Sequence, residues 1–148
     1  MLLIVPNLNY AAGEPTTADT TAPVLTTATG VKTGATTGAG SVTTDEGNGI
    51  LYFVVTQSAT TPSAAQIIAG QDELGAAADY SDSQAVSATG VQPVSASGLA
   101  GATTYYFHFV QNDDLLNTSN TITSGSFTTD VVTIGNMYIH RKRRRRVA

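Results

Sequence analysis

The middle of the chain consists of short segments in which apolar and polar residues alternate, separated by turns of glycine, serine, asparagine and aspartate. A period of two with many β-branched residues is typical of β-strands. Seven segments fit this pattern: Val24–Thr29, Gly38–Thr44, Ile50–Gln57, Ser83–Ala88, Val91–Ser97, Thr103–Gln111 and Thr121–Thr128. Their number and spacing predict an all-β fold, a seven-stranded antiparallel sandwich over residues 23–130.

Two of these segments carry the strongest strand signals. Alternate residues of a strand lie on opposite faces. In the sixth segment one predicted face is aromatic and consists of Tyr105, Phe107 and Phe109. The opposite face consists of Tyr106, His108 and Val110. In the third segment Ile50–Val55 is apolar on both faces, which predicts a central strand.

One segment, Pro62–Gly70, departs from the strand period. Its apolar residues lie at helical spacing: Ala64, Ile67 and Ile68. Ser63 is a favourable residue to cap the start of a helix, and Gly70 is a favourable residue to end it. The pattern predicts a short helix that crosses between two strands.

The two ends of the chain lack the pattern of the middle. Residues 1–22 begin with an apolar run, Leu2, Leu3, Ile4 and Val5, and then show no helical or strand period. We expect an extended N-terminal arm whose apolar start is covered by a partner or by an edge of the body. A disordered leader is the alternative. Residues 131–148 predict one more strand, Val131–Ile139, followed by a basic C-terminal arm.

Charge divides the chain into two unequal parts. Residues 1–140 hold all eleven acidic residues and one basic residue, Lys32, for a net charge of −10. The last eight residues carry +6, from Arg141, Lys142, Arg143, Arg144, Arg145 and Arg146. Such a run predicts docking on an acidic protein surface, pairing with the acidic body of a neighbouring copy, or contact with nucleic acid. A merely solubilising tail is the alternative, and a membrane is disfavoured because no amphipathic helix adjoins the run.

Composition argues against most catalytic chemistry. The chain has no cysteine and only two histidines, His108 and His140, which excludes thiolate sites and the usual zinc sites. It contains neither a G-x-S-x-G elbow nor a phosphate-binding P-loop. We expect His108 to be an ordinary surface or half-buried histidine, with no serine or carboxylate beside it. The sequence therefore predicts a protein that is not an enzyme, without catalytic residues, metal or cofactor.

Two turn segments concentrate polar groups that bind ligands in other proteins. Asp45–Gly49 joins the second and third strands and Asn112–Asp114 follows the sixth, so both lie at the same end of a sandwich. Together they provide Asp45, Glu46, Asn48, Asn112, Asp113 and Asp114. Carboxylate and amide oxygens suit a cation or a sugar, although the EF-hand spacing is absent. Ordinary turn chemistry, which favours the same residue types, is the alternative.

The segment Leu99–Tyr105 resembles a feature of fibronectin type III modules. In that family a leucine, a glycine turn, a threonine and a tyrosine lead into the sixth strand, and the tyrosine bonds back to the backbone near the leucine. Tyr105 has the matching spacing, whereas Gly101 replaces the usual proline and Ala102 the usual glycine. The resemblance implies a fibronectin type III-like sandwich, although the family's second-strand tryptophan is absent.

A wider resemblance covers residues 23–129, in segments such as GSVTTDEGNGILYFVVT (40–56) and GLAGATTYYFHFV (98–110). These segments are similar, in order, to divergent fibronectin-type modules of bacteriophage and prophage structural proteins and of some bacterial surface proteins. The resemblance implies a virion protein that decorates a capsid or tail, made in the host cytoplasm without a signal peptide. Its implied partners are a major capsid or tail protein and copies of itself, with no membrane. The alternatives are a module that binds host glycans and a head component that contacts nucleic acid through Arg141–Arg146.

Overall fold

The computed structural model describes residues 18–133, which form two antiparallel sheets and one short helix. The elements in chain order are β1 (Leu25–Lys32), β2 (Thr37–Thr44), β3 (Ile50–Thr56), α1 (Ala64–Ile68), β4 (Tyr80–Ala85), β5 (Gly90–Ser97), β6 (Thr104–Asn112), β7 (Ile122–Thr123) and β8 (Phe127–Thr128). One sheet has the order β1-β2-β5, and the other has the order β4-β3-β6-β7, with β8 also paired to β6. The predicted all-β sandwich is therefore confirmed.

Three strands differ from their predicted ranges by more than one residue. β1 continues to Lys32, three residues beyond the predicted Thr29. β4 begins and ends three residues earlier than predicted, because the ring of Tyr80 packs against that of Phe53 with centroids 6.1 Å apart. The last predicted strand is split into β7 and β8. Between them, the hydroxyl of Ser124 accepts a hydrogen bond from the Phe107 backbone N–H at 3.0 Å, so a side chain takes the place of a ladder partner.

Several predictions concern residues at the ends of the chain. Residues 131–133 belong to no strand, and the rest of the predicted strand Val131–Ile139 lies outside the described residues. The apolar run Leu2–Val5 and the basic run Arg141–Arg146 also lie outside them. The one helix within residues 18–133 has five residues, and no described helix has the length and apolar character needed to cross a membrane.

Aromatic rings fill the space between the two sheets. The Phe107 ring stacks on the rings of Phe109 and Phe127, with centroids 5.9 and 5.4 Å apart. The facing strand β2 presents glycines to these rings. A Cβ at Gly38 would lie 2.6 Å from the Phe127 ring, and a Cβ at Gly40 would lie 3.0 Å from the Phe107 ring. Glycine at these two positions therefore lets the rings lie directly against the β2 backbone.

The segment between β3 and β4 covers the outer face of the larger sheet. Ile67 of α1 is buried there against Val54 and Val110. Ser63 caps the helix, since its hydroxyl accepts from the Gln66 backbone N–H at 3.3 Å while the Gln66 side chain accepts from the Ser63 N–H at 2.8 Å. This reciprocal pair is a capping box, and it confirms the predicted crossing helix.

The sandwich has two ends, from which the two ends of the described chain emerge. The N-terminal pole is the end of the sandwich that contains residues 18–24 and the turns 45–49 and 113–118. The C-terminal pole is the end that contains the turns 33–36 and 98–103. There Asp130 forms an ion pair with Lys32 and accepts a backbone hydrogen bond from Ala102 at 3.0 Å. The chain is thus held at the C-terminal pole shortly before its described part ends, opposite to where it begins.

Candidate functional site

The structure places the two predicted ligand loops side by side at the N-terminal pole. Gln111, at the end of β6, is fully buried and reaches the base of the first loop. Its Nε2 donates to the backbone oxygens of Glu46 at 3.2 Å and Asn48 at 2.8 Å. The backbone N–H of Asp114, in the second loop, donates to Oδ1 of Asn48 at 3.2 Å. Side chains that bond to backbone therefore fix the position of one loop against the other.

Asp113 organises the second loop. Its Oδ1 accepts from the backbone N–H groups of Leu115 at 2.8 Å and Asn117 at 2.7 Å, and its Oδ2 accepts from Nδ2 of Asn117 at 2.6 Å. Burial of this side chain raises its pKa, but the hydrogen bonds from Asn117 and Leu115 outweigh burial, and the net pKa lies below the ordinary value. The carboxylate therefore stays charged while it shapes the turn.

The start of the described chain joins the same pole. Nδ2 of Asn117 donates to the backbone oxygen of Asp19 at 3.1 Å, and the Val24 N–H donates to Oδ1 of Asp45 at 2.7 Å. These contacts bring a fifth carboxylate, that of Asp19, to the four of the two loops. One oxygen each of Asp19, Glu46 and Asp113 lie within 4.8 Å of one another. Sequence reasoning missed Asp19, because nothing in the pattern of residues 1–22 indicates where that segment meets the body.

We call the five carboxylates of this pole the acidic pole: Asp19, Asp45, Glu46, Asp113 and Asp114. A groove of about 210 Å³ runs between residues 19–22 and 45–46. Within residues 18–133 the sole lysine or arginine is Lys32, which lies at the C-terminal pole and pairs with Asp130. No described basic side chain therefore offsets the charge of the acidic pole.

The acidic pole also has a surplus of hydrogen-bond acceptors. Oε1 of the fully buried Gln111 and Oδ1 of Asn112 accept no hydrogen bond from any described residue. Buried polar atoms normally have a partner. Carboxylates without a described basic partner, next to buried oxygens without described donors, make the acidic pole a candidate site for a cationic ligand.

His108 is fully buried, so the prediction of a surface or half-buried ring was wrong. Its Nε2 lies 2.9 Å from Oγ1 of Thr56 and its Nδ1 lies 2.8 Å from Oγ1 of Thr123. The Thr56 hydroxyl donates to the backbone oxygen of Ser58 at 3.0 Å. It must therefore accept from the ring, which assigns the proton to Nε2 in the neutral imidazole. The ring is buried because threonines from other strands satisfy both of its nitrogens.

This arrangement gives His108 a structural role. Both ring nitrogens contact threonine hydroxyls, and Thr123 in turn bonds Oγ1 of Thr61 at 2.6 Å. Burial lowers the pKa of His108, partly offset by a backbone hydrogen bond with Ser58 and by the charge of Glu73. The neutral ring therefore joins β3, β6, β7 and the crossing segment.

Tyr105 lies at the C-terminal pole, away from the candidate site. Its hydroxyl accepts from the Ala100 backbone N–H at 3.0 Å, which forms a corner before β6. Comparison with known proteins adds no relative: no family model, curated protein or solved structure matches the chain. The function must therefore be inferred from the residues and their geometry.

Proposed function

We propose that this chain is a non-enzymatic structural protein of a bacteriophage virion, a capsid decoration or tail accessory protein attached through its terminal arms. The observation that carries the proposal is the position of the two ends of the described chain, residues 18–24 and 130–133, which lie at opposite poles of a packed sandwich. A body of this kind can be held by an arm at each pole while its sides remain accessible. The sequence resemblance to phage modules supplies the setting.

The strand arrangement supports the fibronectin type III-like assignment. β4 pairs with β3, in the sheet opposite β1, β2 and β5. In a constant-type immunoglobulin domain the fourth strand joins the sheet of the first, second and fifth instead. The corner made by Tyr105 agrees with the same assignment.

The proposed mechanism is attachment by the arms and display of the body. An extended arm can add a strand to an exposed sheet edge, where backbone hydrogen bonds give affinity with little demand on sequence. Many copies on a regular lattice convert weak single contacts into firm attachment. The apolar run Leu2–Val5 and the basic run Arg141–Arg146 are the segments that we assign to these contacts.

The proposal is tested on particles purified by density gradient from a host that produces the chain. Quantitative mass spectrometry should find the chain in a fixed ratio to the major capsid or tail protein. Limited proteolysis should cut both arms of the free chain and neither arm of the assembled chain. Burial of an arm against a partner is what would protect it.

A chain that ends after Ile139 is the matched variant, because it lacks the basic run and keeps the whole described body. Its incorporation into particles should be weaker and should depend less on salt. Absence of the full chain from gradient-purified particles would contradict the proposal. Equal cleavage of the arms before and after assembly would contradict attachment through them.

A second candidate function, binding of a host glycan, is favoured by the convergence of Asp19, Glu46 and Asp113. Carboxylates and amides at a loop end can hydrogen-bond sugar hydroxyls. A glycan array with the full chain and with Asp114→Asn tests this function. Reproducible binding that is weakened by the substitution would support adhesion. No binding to any host polysaccharide on the array would contradict this second function.

A further inference from the structure

We propose that the acidic pole of one copy of this chain binds the basic run Arg141–Arg146 of a second copy, so that copies associate head to tail. The inference rests on the proposed function, since it names the partner of the C-terminal arm. It commits to a polycationic peptide segment as the ligand of the acidic pole.

Charge complementarity is the first argument. The acidic pole gathers five carboxylates, and the described part of the chain places no lysine or arginine beside them. The run Arg141–Arg146 supplies six positive charges in six consecutive residues. Guanidinium groups form forked hydrogen bonds with carboxylates, and several such pairs in one interface reinforce each other.

The buried oxygens of the pole are a second and independent argument. The side chain of Gln111 is fully buried and reaches the loop that carries Glu46. Its Oε1 has no donor within residues 18–133, nor does Oδ1 of the neighbouring Asn112. The pole therefore carries acceptors without described donors, and arginine carries five N–H donors and no acceptor.

The length of the chain bears on whether the run binds its own body or a second copy. The described chain ends at Thr133, near the C-terminal pole, and Arg141 follows eight residues later. Eight extended residues span at most about 29 Å, and the eight residues of β2 alone span about 26 Å. Arg141 would therefore reach its own acidic pole only at the end of a nearly straight segment along the body, whereas the last residues of the run need less extension. The acidic pole of a neighbour places no such demand on the chain, so we commit to a second copy.

The experiment is sedimentation velocity of the full chain over a range of concentrations at low ionic strength. The average sedimentation coefficient should rise with concentration. The rise should disappear in about 1 M salt, where the screening length falls to about 3 Å. Treatment with nuclease before the run should change nothing, because the partner is protein.

Two pairs of charge reversals locate the contact. Asp19→Lys with Asp114→Lys changes exposed residues of the acidic pole and should weaken association by about tenfold or more, since two attractive positions of the contact become repulsive. Asp79→Lys with Asp82→Lys makes the same change in net charge at exposed residues near β4 and should leave association close to that of the natural chain. Circular dichroism of both variants verifies that each is folded.

A charge exchange tests the pairing itself. Arg143→Glu with Arg145→Glu should also weaken association. A chain that carries these two changes together with Asp19→Lys and Asp114→Lys should recover part of it, because the two introduced glutamates can pair with the two introduced lysines.

Any one of the following results would overturn the inference. They are a full chain that stays monomeric at every concentration, equal weakening by the two pairs of reversals, no recovery in the exchanged chain, and association that nuclease removes. Retained association in a chain without the basic run would do the same. None of these results bears on arm protection in particles, so the proposed function stands or falls separately.

Discussion

Strand β6 is buried on both faces, but by different means. On the inner face the ring of Phe107 contacts the rings of Phe53, Phe109 and Phe127. On the outer face the ring of His108 is equally buried, and its polar atoms are matched by threonines. Apolar burial needs only nearby apolar surface, whereas polar burial needs a partner for each donor and acceptor. Ring packing therefore dominates the inner face, whereas the outer face combines the apolar contacts of Val110 with the paired ring of His108.

The largest effect is expected from the inner face. Phe107→Ala removes a ring with no exposed surface at the centre of the aromatic cluster, and we expect unfolding free energy to fall by about 3–5 kcal/mol. Urea denaturation measures the loss. Tyr106→Ala, on the outer face at a half-buried position, is the control and should cost clearly less. Equal losses would mean that the two faces do not differ in the way described.

The second prediction concerns the opposite wall of the same cluster. Gly38→Ala would place a methyl group 2.6 Å from the Phe127 ring, and overpacking of this kind costs about 1–3 kcal/mol. Gly125→Ala is the matched control, because a Cβ there meets no atom within 4 Å. Thermal melting of both variants should show a lower melting temperature for Gly38→Ala alone. A neutral Gly38→Ala would show that the rings have room to move.

The third prediction concerns the outer face, whose contribution to stability should depend on pH through His108. Burial lowers the pKa of His108 in the folded chain below its ordinary value of 6.5, so the unfolded chain takes up the proton first. The stability that depends on the neutral ring is complete above about pH 6.5 and is lost as pH falls through 6.5 towards the folded pKa. Urea unfolding at a series of pH values should show this decline in the natural chain.

The control for the pH prediction is His108→Gln, whose amide can bond to both threonines without titrating. Its unfolding free energy should be flatter between pH 7 and pH 5 than that of the natural chain. Parallel pH profiles for the two chains would show that the buried ring does not control the decline.

The sequence predicted the elements whose signal is local. Alternation in Thr104–Asn112 and the helical spacing around Ile67 are both patterns of neighbouring residues, and both elements formed as expected. Burial of His108 could not be predicted, because its partners Thr56 and Thr123 lie 52 and 15 residues away in the chain. The same limit applies to the acidic pole. The turn residues predicted that two loops lie at the same end of the sandwich. The position of Asp19 beside them could not be predicted, because it depends on a contact with Asn117, which is distant in the chain.

The smallest effect is expected at the hydrogen bond that the Tyr105 hydroxyl makes on the inner face. Tyr105→Phe keeps the ring, which lies 6.0 Å from that of Phe127, and removes the hydroxyl that accepts from Ala100. A typical buried hydrogen bond contributes about 0.5–1.5 kcal/mol. We expect the lower part of that range, because Ala100 is exposed and water can replace the lost acceptor. Urea denaturation of Tyr105→Phe and of Phe107→Ala therefore compares the loss of a hydrogen bond with the loss of ring packing on the same face. A larger loss of unfolding free energy for Tyr105→Phe would mean that the corner, rather than the aromatic cluster, holds β6 in place.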